Sequence, residues 1–244
     1  MIRLARLDGG EPAIFSTLQG EGPHTGRPST FVRLSGCNLH CVWCDTPHTW
    51  NFEGTSFAHR SDRKFDRNTE EAPLSIADVA ARCAALVPRH LVLTGGEPMV
   101  QHKAIVALAA ALGPSFALDI ETNGTIAPTA ALDAAISTFV VSAKLHNSGV
   151  PELLRIRPKA LKALANTGKA WFKWVVASEA DVDEVSGWVT ELGLPTDRQM
   201  LMPEGTTPSA LRTASAAVAE WALREGWRFS DRLHVHLYGG GRGV

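Results

Sequence analysis

The sequence predicts an α/β protein, a partial (incomplete) parallel β/α barrel of about six strands within a single domain covering residues 1–244. Three observations carry this. Apolar runs of strand length recur along the chain, segments of helical periodicity lie between them, and polar motifs repeatedly follow the carboxyl ends of the runs. Six crossover-linked strands are too few to close an eight-stranded barrel, so the barrel is expected to stay open.

In chain order the runs are Phe31-Val32-Arg33-Leu34, Leu91-Val92-Leu93-Thr94, Phe116 to Ile120, Phe139-Val140-Val141-Ser142, Phe172 to Val176 and Met200-Leu201-Met202. Several are nearly unbroken, as parallel strands covered on both faces are. Between them, Ile105, Leu108 and Leu112 share a helical face, as do Leu211, Val218, Trp221 and Ala222. Start signals mark these helices: Ser75 three residues before Asp78, Ser178 before the acidic Glu179-Ala180-Asp181, and Thr207-Pro208 with proline at a first helical position. Residues 47–73 break the rhythm, with charge concentrated from Arg60 to Arg67. A stretch this long is either a functional cover over the preceding cysteine loop or a flexible, solvated insertion.

Lys plus Arg number 24 against 25 Asp plus Glu, a net charge of −1, so nothing in the charge favours nucleic acid or an acidic membrane. A small-molecule partner is expected. The first residues lack a signal-peptide stretch and no run reaches transmembrane length, which points to a cytoplasmic protein. Cysteines in that reducing compartment read as metal ligands or buried thiols, and Cys83, in a helical context, reads as a packed thiol.

The other three cysteines, Cys37, Cys41 and Cys44, form a C-x3-C-x2-C run. Three thiolates can hold a four-iron cluster while leaving one iron open to a small molecule. The alternative is a structural zinc knuckle with His40 or His48 as fourth ligand. Polar motifs elsewhere argue for the cluster: Gly95-Gly96-Glu97-Pro98, Glu121 to Thr125, Ser142-Ala143-Lys144 and Pro203-Glu204-Gly205 all follow strands, as the cysteine loop does. In parallel α/β folds those ends converge on one active site.

The cysteine spacing resembles that of radical S-adenosylmethionine enzymes, whose core fold it implies. More specifically, Ile14 to Gly22, Phe31 to Leu39, Trp43-Cys44-Asp45-Thr46, Thr94 to Pro98 and Glu121 to Thr125 resemble the 7-carboxy-7-deazaguanine synthase family. That resemblance implies a lyase of the queuosine and 7-deazapurine pathway, acting on 6-carboxy-5,6,7,8-tetrahydropterin by hydrogen removal at C6, ring contraction and loss of ammonia. It implies a [4Fe-4S] cluster on Cys37, Cys41 and Cys44, S-adenosylmethionine, and magnesium at Thr46. Trp43, Cys44, Asp45, Gly96, Ser142, Ala143, Lys144 and the turn Met202, Pro203, Glu204 and Gly205 match cofactor contacts. Leu18, Gln19, Gly20, Arg33 and Thr94 match the pterin site, where an arginine fork suits a carboxylate and an amide suits a pterin edge. No catalytic side chain is assigned, because the cofactor carries the difficult chemistry. A reducing electron donor such as a flavodoxin and a homodimer are further implications. Ala143 departs from a frequent family proline, and the Gly239 to Val244 tail from any family pattern. The rival enzyme reading from the cysteine motif is a glycyl-radical activase.

Overall fold

In a computed structural model describing residues 1–244, the strands are β1 (Ile2–Ala5), β2 (Ile14–Leu18), β3 (Pro28–Leu34), β4 (Glu71–Leu74), β5 (His90–Gly95), β6 (Ala117–Thr122), β7 (Thr138–Val141), β8 (Ala170–Val176), β9 (Gln199–Pro203) and β10 (Arg228–Phe229). The helices are α1 (Arg67–Glu70), α2 (Ile76–Ala85), α3 (His102–Leu112), α4 (Ala130–Ala135), α5 (Glu152–Arg155), α6 (Pro158–Asn166), α7 (Glu179–Leu192), α8 (Pro208–Glu225) and α9 (Leu233–Tyr238). One sheet holds all strands in the order β10-β9-β8-β7-β6-β5-β3-β1-β4, with β2 also paired to β3. From β3 through β5, β6, β7, β8 and β9 every pairing is parallel, and these six strands contain the six predicted runs. The sheet is an open, partial barrel.

Antiparallel β1, β2 and β4 extend the β3 edge. They are four or five residues long, and β4 takes in residues 71–73, which the sequence assigned to the irregular insertion. The caps formed as expected: the Ser75 side chain accepts from the Asp78 amide, Ser178 and Asp181 close a full capping box, and Pro208 opens α8 after Thr207. Each cap satisfies amides that the first helical turn leaves without partners.

The strands read as unbroken runs, but their two faces differ. Val32, Leu34, Leu91, Leu93, Leu118, Ile120, Phe139, Val141, Phe172, Trp174, Val176 and Leu201 face the helices and join one large core with Val79, Cys83, Ile105, Leu108, Leu161, Val185 and Val218. Their period-2 neighbours Phe31, Arg33, Thr94, Glu121, Lys173, Val175 and Met202 line the barrel interior. Cys83 is a buried helix thiol, as read from its context. Trp174 is fully buried and donates Nε1–H to the Gln199 side chain at 2.7 Å, so its one polar atom is satisfied.

Residues 47–66 open on the 3-10 turn Pro47–Thr49 and carry buried aromatics at their two ends around a largely exposed middle from Glu53 to Arg63. Trp50, Phe52 and Phe65 are buried, Phe52 and Phe65 form a bridge, and Arg63 and Arg67 stack over Phe65 and Phe52. The segment folds back on the cysteine loop, where His59 Nε2 meets the Cys44 carbonyl at 2.8 Å and the His40 ring stacks on Phe57.

Phe139 sits at the centre of the helix-facing core with no exposure, whereas Val87 is 90% exposed. Phe139→Ala should lower stability by about 3–5 kcal/mol, through lost burial and a residual cavity. Val87→Ala should change it by no more than about 0.5 kcal/mol. Urea unfolding of both variants separates the two sites; equal losses would contradict this placement of the core.

Candidate active site

The carboxyl ends of the parallel strands open into a cavity of about 1280 Å³, counting its mouth. The cysteine loop forms one wall, following β3 just as the sequence placed it. Gly95 holds a φ of +133°, and a Cβ there would overlap the Leu34 backbone oxygen at 2.1 Å; a Cβ on Gly96 would lie 2.2 Å from the Gly36 carbonyl oxygen and 3.0 Å from the Cys37 Cβ. Only glycine lets the β5 turn approach the cysteine loop this closely.

Next in the turn, Glu97 points away from the cavity and is wholly buried. Its carboxylate accepts from the Met99 and Asn123 amides at 2.9 and 2.6 Å and from the Thr122 hydroxyl at 2.8 Å, clamping the loop after β5 to the loop after β6. Burial raises its carboxyl above the usual range. Asn123 in turn donates to Asn38 at 2.8 Å, and Asn38 to Thr125 at 2.8 Å, so the β6 loop holds the cysteine loop by its side chains.

Cys37, Cys41 and Cys44 are free thiols and all three line the cavity. Burial pushes the Cys41 thiol up to about 11 and raises those of Cys37 and Cys44 as well. Buried thiols become thiolates when a bound cation supplies the compensating charge. Sulfur acceptors are already provided with donors: the Leu39 amide reaches Cys37 Sγ at 3.4 Å and Trp50 Nε1–H reaches Cys44 Sγ at 3.3 Å. The chain's one trio of His, Cys, Asp or Glu ligand atoms within 4.8 Å of one another is His24, His90 and Asp119, so the sulfurs stand further apart than that. Four ligands on a single zinc at 2.3 Å would lie about 3.8 Å apart. His40, stacked on Phe57, and the buried His48 are also held elsewhere. The donor set fits a multi-iron cluster better than a zinc knuckle.

Of the residues singled out from sequence, Leu18, Gln19, Gly20, Arg33, Trp43, Asp45, Thr46, Thr94, Gly96, Ser142, Lys144, Met202, Pro203, Glu204 and Gly205 line the same cavity as the cysteines. Ala143 does not. Its neighbours Ser142 and Lys144 face the cavity while its own methyl packs in the main core. Lys144 donates to Ser142 at 2.9 Å and sits 5.5 Å over the Trp43 ring.

The structure adds residues to which the sequence assigned no individual role. Glu121 accepts from Gln19 at 3.0 Å and from Thr94 at 2.7 Å, bringing two predicted substrate contacts onto one carboxylate. Glu21 pairs with Lys173 of β8 and with Arg232, and Arg232 also reaches Asp45 and donates to the Gly205 carbonyl at 2.7 Å. The His234 imidazole packs over Gly20, where a Cβ would lie 1.9 Å from its Nδ1. Burial alone would raise the Glu21 carboxyl, but Lys173, Arg232 and His234 outweigh it and hold it well below the usual range. Arg33, half-buried, has no hydrogen bond or ion pair from its guanidinium to the protein. Of the other cavity cations, Lys173 and Arg232 are paired with carboxylates and Lys144 donates to the Ser142 hydroxyl, whereas the Arg33 guanidinium has no protein partner.

Comparison with known proteins follows this geometry. The Radical SAM superfamily matches residues 31–206. A protein named 7-carboxy-7-deazaguanine synthase from Pyrobaculum aerophilum is 36% identical, covering 94% of this chain and 95% of its own. One of the same name from Escherichia coli K12 is 30% identical over 92% of this chain and 96% of its own. A solved structure described as QueE from Escherichia coli superposes with a TM-score of 0.64 at 26% identity, covering 95% of both chains. No helix is long and apolar enough to cross a membrane.

Glu21→Gln should destabilise the protein by about 3–5 kcal/mol, because it leaves Lys173 and Arg232 buried without their shared carboxylate. The depressed Glu21 carboxyl contributes stability that is complete above its unfolded value, about 4.3, and is lost as pH falls below it. Thermal melts from pH 7 to 3 should therefore show a shallower acid decline in Glu21→Gln than in the parent; parallel declines would count against this pairing.

Proposed function

Because the chain belongs to the 7-carboxy-7-deazaguanine synthase family within the Radical SAM superfamily, we propose that this cavity holds its cluster, S-adenosylmethionine and pterin side by side, with Arg33 receiving the pterin carboxylate. The enzyme is a radical S-adenosylmethionine lyase that forms 7-carboxy-7-deazaguanine from 6-carboxy-5,6,7,8-tetrahydropterin, with loss of ammonia, in queuosine biosynthesis. It uses a [4Fe-4S] cluster and S-adenosylmethionine. When bound, these supply the radical that starts the reaction.

What remains is the work of the side chains. Cys37, Cys41 and Cys44 would hold the cluster from one short loop, braced by Asn38, Asn123 and the Glu97 clamp. Trp43, Asp45, Gly96, Ser142, Lys144 and the Met202 to Gly205 turn would hold the cofactor from four separate strand ends. Pterin recognition would fall to Gln19, Thr94 and Glu121, which already form one hydrogen-bonded set, with Leu18 and Gly20 beside them. Gln19 can turn its amide between donor and acceptor edges, and Glu121 offers acceptors to ring N–H groups. The observation that carries this reading is the unpaired Arg33. A planar guanidinium left without a protein partner inside this cavity matches a substrate bearing one carboxylate.

Thr46 would contribute one oxygen to magnesium, whose remaining ligands would come from water and the pterin carboxylate. Its hydroxyl faces Cys44 Sγ at 3.6 Å and is otherwise uncommitted. A one-electron reductant such as a flavodoxin, a homodimer and a cytoplasmic setting complete the proposal. The activase alternative is set aside, since relatives covering 92% and 94% of the chain carry the synthase name.

Anaerobic turnover with reductant, S-adenosylmethionine and the carboxypterin, followed by mass, tests reaction and substrate together. Alanine at Cys37, Cys41 or Cys44 should abolish both the four-iron spectrum and product, while Cys83→Ala should keep both; loss of the cluster in a folded Cys83 variant would overturn the ligand assignment.

Arg33→Ala should fold normally, having no internal partner to lose, and should weaken pterin binding by about ten- to a hundredfold, the value of one charge-assisted contact. The same titration with and without magnesium should show a dependence that Thr46→Val largely lacks. Unchanged pterin affinity in Arg33→Ala would remove the carboxylate assignment.

A further inference from the structure

Beneath the cavity, two residues further down β6 than Glu121 and four further down β5 than Thr94, lies a polar cluster that the reaction does not use. Asp119 of β6 is one residue pair below Glu121, and His90 opens β5 below Val92 and Thr94. His24, in the 3-10 turn Gly22–His24, comes in from the loop after β2. His24 Nδ1 and His90 Nε2 converge on the same oxygen, Asp119 Oδ2, at 2.6 and 2.8 Å. The three ligand atoms all lie within 4.8 Å of one another.

Hydrogen bonding leaves part of this cluster without a partner. Ser29 Oγ lies 2.9 Å from the Arg27 carbonyl and 2.7 Å from His90 Nδ1. With the hydroxyl proton on the carbonyl, His90 Nδ1–H donates to Ser29 and the Nε2 lone pair is free for a cation; with it on His90, Nε2–H donates to Asp119. In either arrangement Asp119 Oδ1 is buried with no donor at all, although two imidazoles crowd its other oxygen.

These are the properties of a ligand set. Metal-bound imidazoles donate their second N–H to an oxygen that fixes the tautomer, and Ser29 Oγ is placed 2.7 Å from His90 Nδ1 to accept it. Two imidazoles and one carboxylate suit zinc and neighbouring divalent transition ions, and exclude soft thiolate-seeking and all-oxygen cations. Tetrahedral bonds of 2.0–2.1 Å separate ligand atoms by about 3.3 Å, so Asp119 would withdraw by roughly half an ångström. His24 is 31% exposed against 2% for His90 and Asp119, which leaves one side open for a water ligand and for the ion to enter. We propose that His24, His90 and Asp119 form a binding site for one zinc-class divalent ion in the barrel floor, distinct from the cysteine site. Bound there, the ion would pin the loop after β2, whose residues Gln19, Gly20 and Glu21 line the cavity above.

The test uses cluster-loaded enzyme, incubated with zinc sulfate, desalted and analysed for zinc and iron together. The wild type should retain about one zinc per chain beyond its cluster iron, with a zinc X-ray absorption edge showing only nitrogen and oxygen neighbours. His24→Ala and Asp119→Asn should each lose that zinc at unchanged iron content. Because His24 is part-exposed, its variant keeps the test valid if Asp119→Asn misfolds. No retained zinc in the wild type, zinc with sulfur neighbours, or zinc unaffected by His24→Ala would each overturn the site. None of these readings depends on turnover, so failure here is separable from failure of the proposed reaction.

Discussion

The Glu21 carboxylate is the point on which the cavity's architecture depends. An open barrel has a free side, and here four distant parts of the chain meet to fill it: the loop after β2, strand β8, the cysteine loop through Asp45, and the segment leading into α9 through Arg232. Three further hydrogen bonds run along the same seam, from the Gly22 amide to Ser230, from the Leu233 amide to the Gly20 carbonyl, and from Arg232 to the Gly205 carbonyl. Removing buried charges from water is costly, so such a network persists only with each member paired. That pairing commits Lys173 and Arg232 to the wall and leaves Arg33 without a carboxylate. Shape and charge of the pocket thus follow from one set of ion pairs.

On the opposite side of the cavity the ordering is done by hydrogen bonds rather than ion pairs. Glu97 ties two strand-end loops together, Asn38 and Asn123 carry that order to the cysteines, and the folded insertion covers their outer face through His59, Phe57 and Trp50. The insertion is therefore part of the wall. Its charge-rich sequence disguised this: Arg63 and Arg67 spend their planar heads on Phe65 and Phe52, and Lys64 caps Asn51 and the Phe57 carbonyl, so residues that read as a solvated tract are holding a small aromatic core.

Six parallel strands were legible because aromatic and β-branched runs alternate with well-capped helices. The short antiparallel strands were not, since β1, β2 and β4 offer four or five residues of edge with no distinctive turn. Site residues were legible where they sit in motifs on loops. Lys173 was hidden inside Phe172 to Val176, where strand alternation turns it to the interior, and Arg232 lies in a stretch whose only cue is three-dimensional. Alternation also places Ala143: with Ser142 and Lys144 turned to the cavity, the residue between them goes to the core. Glu121 was visible as part of its motif, but its role as common acceptor for Gln19 and Thr94 depends on the pairing of β5 with β6.

The bracing of the cysteine loop by asparagine, glutamate, glycine and histidine has a consequence for assembly. In small zinc domains the metal supplies the folding energy, so the apoprotein is a disordered chain. Here side chains outside the thiols also brace the loop, from Asn38, Asn123, Glu97 and His59. The site is thus assembled partly by the protein's own packing, and a change at Asn38, Asn123 or His59 would reach the cysteines without touching a sulfur.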